Sequence, residues 1–182
     1  MPNWCQNILE ITGEEADLEA FASKAEDGKF SLEIYYPMPE EPGENLETGK
    51  PHWTDALSMR VVGTEMPDWY TWRLKNWGTK WDISEEGGMF LLSEETELPV
   101  SSVTMTIVEG RISISFLTAW SPPEEGILNI SKAYPSIVFA LRYAEAGNDF
   151  AGSTTIQSGE ILTQVESTFD EYAKTYDFSN AY

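Results

Sequence analysis

The feature that most constrains the fold is a pair of alternating segments on either side of the dipeptide Glu109–Gly110. Before it, residues 103–107 read VTMTI, and after it, residues 112–116 read ISISF. Alternation with a period of two predicts strands with one apolar face, and the two-residue connection predicts a β-hairpin. The chain therefore needs an antiparallel sheet with helices or another layer packed on that apolar face.

The N-terminal segment predicts a strand, a helix and a second strand. Residues 4–12 (WCQNILEIT) place apolar side chains on both faces, which favours a central strand. Thr12 and Glu15 form a capping-box pattern, and a helical stripe continues from there to Gly28. Alternation at residues 30–34 predicts a short strand.

A long insertion follows. Residues 37–51 are rich in Pro, Gly and Glu, which predicts a loop longer than is usual inside a compact domain. A helix is predicted from about Thr64 to Gly78, where glycine is the natural stop. Residues 80–83 then predict a short strand.

The C-terminal part continues the pattern. Ser121 and Glu124 form a second capping-box pattern, with Pro122 at the first helical position. Residues 137–141 are continuously apolar, as in a strand buried on both faces, and residues 150–157 predict a further strand. Residues 160–176 alternate acids and aromatic residues and predict a helix or an arm.

The element order is β-α-(insertion)-β-β-α-β, which predicts an α+β fold of the ferredoxin-like, split-βαβ type. Such a fold has an antiparallel sheet with two helices on one face. We expect a single domain over residues 1–182, with the insertion at about 35–100 after the first βα unit and a C-terminal arm at about 159–182.

Charge limits the classes of function. The chain carries 31 acidic and 11 basic residues, a formal net charge of −20. Such a protein repels nucleic acid and anionic membranes, so direct binding to either is not expected. Solubility alone explains the charge equally well. The sharper interpretation is a surface that faces a basic host protein, such as a nucleic-acid-binding defence protein.

Catalytic, metal and cofactor motifs are not found in the sequence. Cys5 is the single cysteine and His52 the single histidine, so neither an internal disulfide nor a cysteine-based zinc site can form. No phosphate-binding or dinucleotide motif occurs. We therefore predict no catalytic residue, no metal and no cofactor. No apolar run is long enough for a membrane span and no secretory signal is present, which indicates a cytoplasmic protein.

The stretch WYTWRLKNWGTKWD at residues 69–82 combines aromatic and basic residues and has two interpretations. In the first, its residues are mainly core. In the second, the outer helix face is an interface, because Trp and Arg are enriched at interface hot spots. The interface candidates are Trp69, Trp72 and Arg73, together with the loop acids Glu40, Glu41, Glu44 and Glu47.

Three motifs in the chain resemble one known family. MPNWCQN at the N-terminus, NWGTKWD at residues 76–82 and TAWSPP at residues 118–123 occur in this order in YubB-type proteins of plasmids and phages. The resemblance covers about residues 1–152. It implies a ferredoxin-like domain and a mobile-element origin, and it supplies no catalytic residues. The motif residues expected to be structural are Asn76, Trp77, Gly78, Trp81, Asp82, Trp120, Ser121 and Pro122.

Three hypotheses for the function stay open from the sequence. The first is a non-enzymatic, acidic binding protein that inhibits a host defence protein by mimicking nucleic acid. The second is an enzyme with carboxylates and tyrosine on the open sheet face or under the loop at residues 37–51. The third is a structural or assembly role. The first requires acids that form a connected face, and the second requires converging carboxylates with raised pKa values in a pocket.

Overall fold

A central strand with partners on both sides organises the protein. In the computed structural model, residues 3–25, 28–39, 69–83 and 105–175 are described, and these ranges contain six strands and five helices. In chain order the elements are β1 (Trp4–Thr12), α1 (Glu15–Ser23), α2 (Leu32–Tyr35), α3 (Trp69–Asn76), β2 (Ile107–Val108), β3 (Arg111–Ala119), α4 (Glu124–Ser131), β4 (Val138–Glu145), β5 (Phe150–Gln157), β6 (Glu160–Ser167) and α5 (Phe169–Thr175).

The sheet is antiparallel and has the strand order β2-β3-β1-β4-β5-β6. Its first four strands are ordered β2-β3-β1-β4, with α1 between β1 and β2 in the chain and α4 between β3 and β4. This is the ferredoxin-like arrangement, so the predicted α+β fold is confirmed. β5 and β6 extend the sheet beyond it.

The core lies between the sheet and the helices. Leu9 in β1 pairs with Ile114 in β3 on one side and with Leu141 in β4 on the other. Directly paired residues point to the same face of a sheet, so these side chains form one apolar inner face. It is covered by the buried side chains Leu18 and Phe21 of α1, Leu32 and Tyr35 of α2, Trp77, and Ile127 and Ile130 of α4.

The outer face of the sheet is covered at one end. Tyr172 of α5 is buried against Ala144 of β4 and Ala151 of β5. Farther along this face, Arg142 lies 3.3 Å from Glu10 in an ion pair. None of the helices in the described ranges is long and apolar enough to cross a membrane.

The predicted hairpin is confirmed, although its first strand is short. Glu109 and Gly110 have φ values of 52° and 73°, the left-handed pair that a type I′ turn needs. Pairing joins Ile107 to Ile112 and Val108 to Arg111. Residues 103 and 104 lie outside the described ranges.

Two predicted strands are wrong. Residues 32–35 form the helix α2, because Ser31 and the Asp82 carboxylate accept hydrogen bonds from the amides at its start. Residues 80–83 make no strand pairing in the described part of the chain, and the Asp82 side chain accepts the backbone N–H of Ile83. The same carboxylate therefore acts at both sites, locally on Ile83 and from a distance in sequence on α2.

Both predicted capping boxes are also wrong. Thr12 is the last residue of β1, and the N-cap of α1 is Glu14, without a side-chain hydrogen bond. The N-cap of α4 is Pro123, because the Ser121 hydroxyl donates to a carbonyl of another segment. α1 ends at Ser23, before the predicted stop at Gly28.

The C-terminal segment is part of the sheet. Residues 160–167, for which we predicted a helix or an arm, form β6, and a short helix follows. β6 pairs with β5 through a two-residue turn in which Ser158 and Gly159 both have positive φ. This hairpin turn makes β6 the antiparallel neighbour of β5 at the edge of the sheet.

Candidate binding surfaces

The three aromatic and basic interface candidates of α3 pack against each other and the core. The Arg73 guanidinium carbon lies 5.4 Å from the centre of the Trp69 ring and 4.7 Å from that of Trp77. The Trp72 ring stacks on Tyr36 with 6.1 Å between centroids. Trp69, Trp72 and Arg73 are all half-buried. They therefore present only part of their surface to a partner, and much of their contact is internal.

The end of α3 is joined to the start of α4. Gly78 has a φ of 81°, and its carbonyl accepts the Ser121 hydroxyl at 2.5 Å. The backbone N–H of Gly126 donates to the Trp77 carbonyl at 3.2 Å. A Cβ atom on Gly78 would lie 3.0 Å from the Pro122 carbonyl oxygen, so the two segments approach as closely as glycine allows.

Asp82 supports several backbone groups from the core. Its side chain is only 5% exposed, and it accepts hydrogen bonds from the Ser31 hydroxyl and from the amides of Leu32, Glu33 and Ile83, at 2.6 to 3.1 Å. The donors of Ser31, Leu32 and Ile83 would otherwise be buried without this acceptor, which makes the carboxylate structural.

Two neighbouring residues of the same motif also make internal contacts. The Asn76 side chain donates to the Trp72 carbonyl at 2.9 Å, and the Asn76 carbonyl accepts from the Asn129 side chain at 3.0 Å. The Trp77 indole N–H donates to the Tyr36 carbonyl at 2.9 Å. Together with Asp82, these contacts join α2, α3 and α4 into one layer.

Three tryptophans from distant segments converge beside this layer; we call Trp4, Trp81 and Trp120, with Lys80, the tryptophan platform. The centroid of Trp81 lies 6.0 Å from that of Trp4 and 6.4 Å from that of Trp120. The Lys80 ammonium lies 4.6 Å from the Trp81 centroid and 5.1 Å from the Trp120 centroid. These distances suit aromatic packing and cation–π attraction.

Trp120 is the exposed end of the tryptophan platform. It is 39% exposed and has a φ of 70°, which is uncommon for a residue other than glycine. Its backbone N–H donates to the Asn3 carbonyl at 2.9 Å, and Thr118 donates to the Ser121 carbonyl at 2.7 Å. These bonds hold the turn in a conformation that projects the indole toward solvent.

The sequence contained a signal for this platform that we missed. Each of the three motifs behind the family resemblance contains one of its tryptophans: Trp4 in MPNWCQN, Trp81 in NWGTKWD and Trp120 in TAWSPP. We assigned Trp81 and Trp120 to structure separately and did not single out Trp4 or Lys80. Because the segments are far apart in the chain, only the sheet pairing of Trp4 with Ala119 brings two of them together.

The second surface surrounds the last strand; we call Glu124, Glu125, Glu160 and Glu166 the acidic edge. Between Arg142 and Lys174 the chain contains no basic residue, and β5, β6 and the start of α5 lie in this range. Glu124 accepts hydrogen bonds from the side chains of Thr154 and Gln164, which places it over the β5–β6 pair. Lys132 lies beside Gly159, and its ammonium donates a hydrogen bond to the side-chain oxygen of Asn129.

Burial and like charge perturb the Glu124 carboxyl. Burial raises its pKa above the usual value, and the Glu166 and Glu125 carboxylates raise it further, while the hydrogen bonds from Thr154 and Gln164 act in the opposite direction. Burial also raises the pKa of Tyr143 to about 12, with the charges of Glu124 and Glu166 adding to the effect. Glu124, Glu125 and Glu166 are therefore close enough to interact.

The chemistry available in the described residues is limited. Burial raises the pKa of the Cys5 thiol well above its usual range, and the Glu145 charge adds to this, so the thiol is inert. Within the described ranges, no group of three or more His, Cys, Asp or Glu side chains is placed to hold a metal ion. Because its pKa is raised, Glu124 holds a proton more readily than an ordinary glutamate. Glu124 and Tyr143 alone do not indicate a particular reaction.

The remaining sequence candidates lie outside the described residues. These are Glu40, Glu41, Glu44 and Glu47 of the loop at residues 37–51, and the single histidine, His52. Their part in any interface stays a prediction.

A protein-family model matches part of the chain. The model of a ferredoxin-like domain in Api92-like protein matches residues 102–181, which run from just before β2 to beyond α5. No curated protein matches the chain. The family match therefore supports the fold of the C-terminal part and names no activity.

Comparison with solved structures gives a similar result. The chain is similar to the crystal structure of a protein api92 from Yersinia pseudotuberculosis, with a TM-score of 0.53 and 10% sequence identity. The similarity covers 91% of this chain and 98% of the other. At this identity the match shows a shared fold alone. Neither match concerns a plasmid or phage origin, which stays an expectation from the sequence resemblance.

Proposed function

We propose that this protein is a non-enzymatic, acidic binding protein whose partner is a basic host protein that binds nucleic acid. The observation that carries the proposal is the acidic edge, where Glu160 and Glu166 lie on β6, Glu124 lies over it, and the chain from β5 to β6 contains no basic residue. The sequence hypothesis of a nucleic-acid mimic required acids that form a connected face, and the proximity of Glu124 to Glu125 and Glu166 supports it.

The electrostatics of the acidic edge favour a cationic partner. Burial raises the pKa of Glu124, and the charges of Glu166 and Glu125 raise it further, which means that these carboxylates repel one another. A basic surface placed against them relieves the repulsion and is attracted over several ångströms before contact. Nucleic-acid-binding proteins carry such surfaces, because they neutralise phosphates with Lys and Arg.

The tryptophan platform adds contact area of another kind. Trp and Tyr are enriched among the residues that contribute most to protein interfaces. An indole face also attracts Arg and Lys side chains through its π electrons. A partner rich in these cations would therefore find favourable contacts at Trp120, outside the acidic edge.

The sequence resemblance implies a plasmid or phage origin, and such an origin suggests a biological role for this binding. A mobile element gains if a host defence protein that binds nucleic acid is occupied by a decoy. In this account the protein is a counter-defence inhibitor, and its acids take the place of phosphates.

Affinity capture from a bacterial lysate tests the proposal. The immobilised protein is expected to retain a basic protein at low ionic strength, to release it at high ionic strength, and to release it when double-stranded DNA is added. Capture that does not respond to salt or DNA would contradict mimicry. Retention of no basic protein at low ionic strength would contradict the proposed function.

A further inference from the structure

The last strand of the sheet has an open edge. β6 is the terminal strand in the order β2-β3-β1-β4-β5-β6, and among the described residues it pairs with β5 alone. It is eight residues long, whereas β2 at the other edge has two. In an antiparallel strand, alternate residues direct their backbone N–H and C=O groups away from the neighbour. β6 therefore presents a row of hydrogen-bonding groups along a substantial edge.

The side chains of β6 are unusually apolar for an exposed edge. Ile161 is 49% exposed, Leu162 is 52% exposed and Val165 is 58% exposed. Proteins usually protect such edges with lysine, proline or a bulge that twists the strand away. Here the pairing with β5 shifts register between Ile161 and Thr163, so a bulge occupies one end only. Thr163 to Ser167 remain regular, without lysine or proline.

The charges around β6 indicate what could pair with it. Glu160 and Glu166 lie on the strand, and Glu124 lies over it. A second copy of this chain would bring these carboxylates against their own counterparts, and each copy carries a net charge of −20. A cationic segment has the complementary charge.

We propose that an extended, basic segment of the partner protein adds to β6 as a seventh strand, along Thr163 to Ser167. Backbone hydrogen bonds supply the pairing, an apolar side chain of the segment covers Val165, and Lys or Arg side chains reach Glu124 and Glu166. This proposal rests on the proposed function and identifies the surface through which the basic partner binds.

A peptide of ten residues that alternates lysine with valine is the probe. Titration is expected to give saturable binding and to slow amide hydrogen exchange in β6. The matched control is the same peptide methylated at every backbone nitrogen, which keeps the charges and the side chains but has no backbone N–H to donate to β6. We expect it to bind at least about tenfold more weakly. Equal binding of the two peptides, or protection confined to other elements, would overturn the proposal.

Two variants test the position of the contact. Val165→Ser removes an apolar side chain from β6, and Val108→Ser removes an equally exposed one, at 56%, from β2 at the opposite edge. Val165→Ser is expected to weaken peptide binding roughly three- to tenfold, the loss expected for one buried valine. Val108→Ser is expected to change binding less than about twofold. The reverse order would place the site elsewhere.

The outcome separates this proposal from the function on which it rests. If a captured basic protein still binds Val165→Ser as tightly as the original chain, and its binding does not slow exchange in β6, then the strand-pairing proposal fails and the proposed function stands. If no basic protein is captured at low ionic strength, both fail.

Discussion

Single residues decide several local conformations in this protein, often from a distance in sequence. Asp82 starts the helix α2 from about fifty positions further along the chain, and Gly78 allows α3 to end against α4. Neither role follows from the neighbours of these residues in the sequence. The sequence motif NWGTKWD predicted that both are structural, but not which segments they join.

Replacing Asp82 should destabilise the fold strongly. Asp82→Ala removes the acceptor for four donors, three of which are buried. Because buried donors are left unpaired, we expect a loss of about 3 kcal/mol or more in the free energy of unfolding, measured by urea denaturation. Glu19→Ala, at an exposed position of α1, is the control and should change stability by less than about 0.5 kcal/mol. Similar losses for the two variants would show that Asp82 is not a structural centre.

Two glycines allow a matched test of the α3–α4 contact. Gly78 and Gly110 both have positive φ, but only at Gly78 would a Cβ atom meet another segment. Gly110→Ala should cost about 1 kcal/mol from backbone strain alone. Gly78→Ala should cost clearly more, about 2 to 4 kcal/mol, because the Pro122 carbonyl must also move. Equal costs by thermal or urea denaturation would mean that the close approach does not matter.

The acidic edge predicts a pH dependence that is specific to Glu124. Its pKa in the folded protein is raised from an ordinary value of 4.5, mainly by burial, so the ionised form is the less stable one in the fold. Below the ordinary pKa the carboxyl is protonated in both states and carries no penalty; the penalty develops as pH rises through the folded pKa. Glu124→Gln should therefore stabilise the protein more at pH 7 than at pH 4.

The comparison needs a control for the loss of charge alone. Glu125→Gln removes the same charge from the exposed neighbouring position and should show a smaller difference between the two pH values. Denaturation curves for both variants at each pH supply the measurement. A stabilisation by Glu124→Gln that is no larger at pH 7 than at pH 4 would contradict the assignment.

Among the helices and strands, the sequence predicted those elements correctly whose apolar residues alternate because one face is buried. The strands β1, β3, β4 and β5 were predicted because their inward side chains alternate or run continuously apolar. The strand predictions at residues 32–35 and 80–83 were wrong, because the Asp82 carboxylate bonds to the backbone there. The strand β6 was not predicted. β6 was missed because it is exposed almost throughout, so its sequence carries no buried face to alternate.

The candidate surfaces were predictable in a similar, partial way. Net charge pointed to an acidic surface, but the position of the acidic edge depends on β6 being a strand. The tryptophans Trp81 and Trp120 were named as motif residues, but their contact depends on the sheet. The distance between two segments far apart in the chain depends on the strand order and pairing. Sequence patterns predict the fold class but not these pairings.

The helix α5 offers a test at this scale of whether the C-terminal segment belongs to the folded unit. Tyr172 is buried against Ala144 and Ala151 on the outer face of the sheet. Tyr172→Ala should lower the free energy of unfolding by about 2 to 4 kcal/mol, because a large buried side chain is lost. A loss below about 0.5 kcal/mol would mean that α5 contributes little to stability.

The whole molecule combines a ferredoxin-like core with a strongly acidic chain of net charge −20. The inner face of β1, β3 and β4 packs against the helices, so binding falls to the edges and the outer parts. The acids do not gather only at β6, because Glu14, Glu15 and Glu19 are also exposed on α1. α1 packs against β3, whereas α4 packs against β4 and β5, so the two acidic regions lie on different parts of the sheet.

Because these two acidic regions are separate, variants of each can test directly whether the basic partner binds at the acidic edge. One variant combines Glu125→Gln, Glu160→Gln and Glu166→Gln at the acidic edge, and the other combines Glu14→Gln, Glu15→Gln and Glu19→Gln on α1, so both have the same net charge. The dissociation constant of the captured basic host protein is measured for each at one ionic strength. The account predicts that the edge variant binds about tenfold more weakly or worse, and the α1 variant within about threefold of the original chain. Equal weakening by both would show that only total charge matters, and would contradict a binding site at the acidic edge.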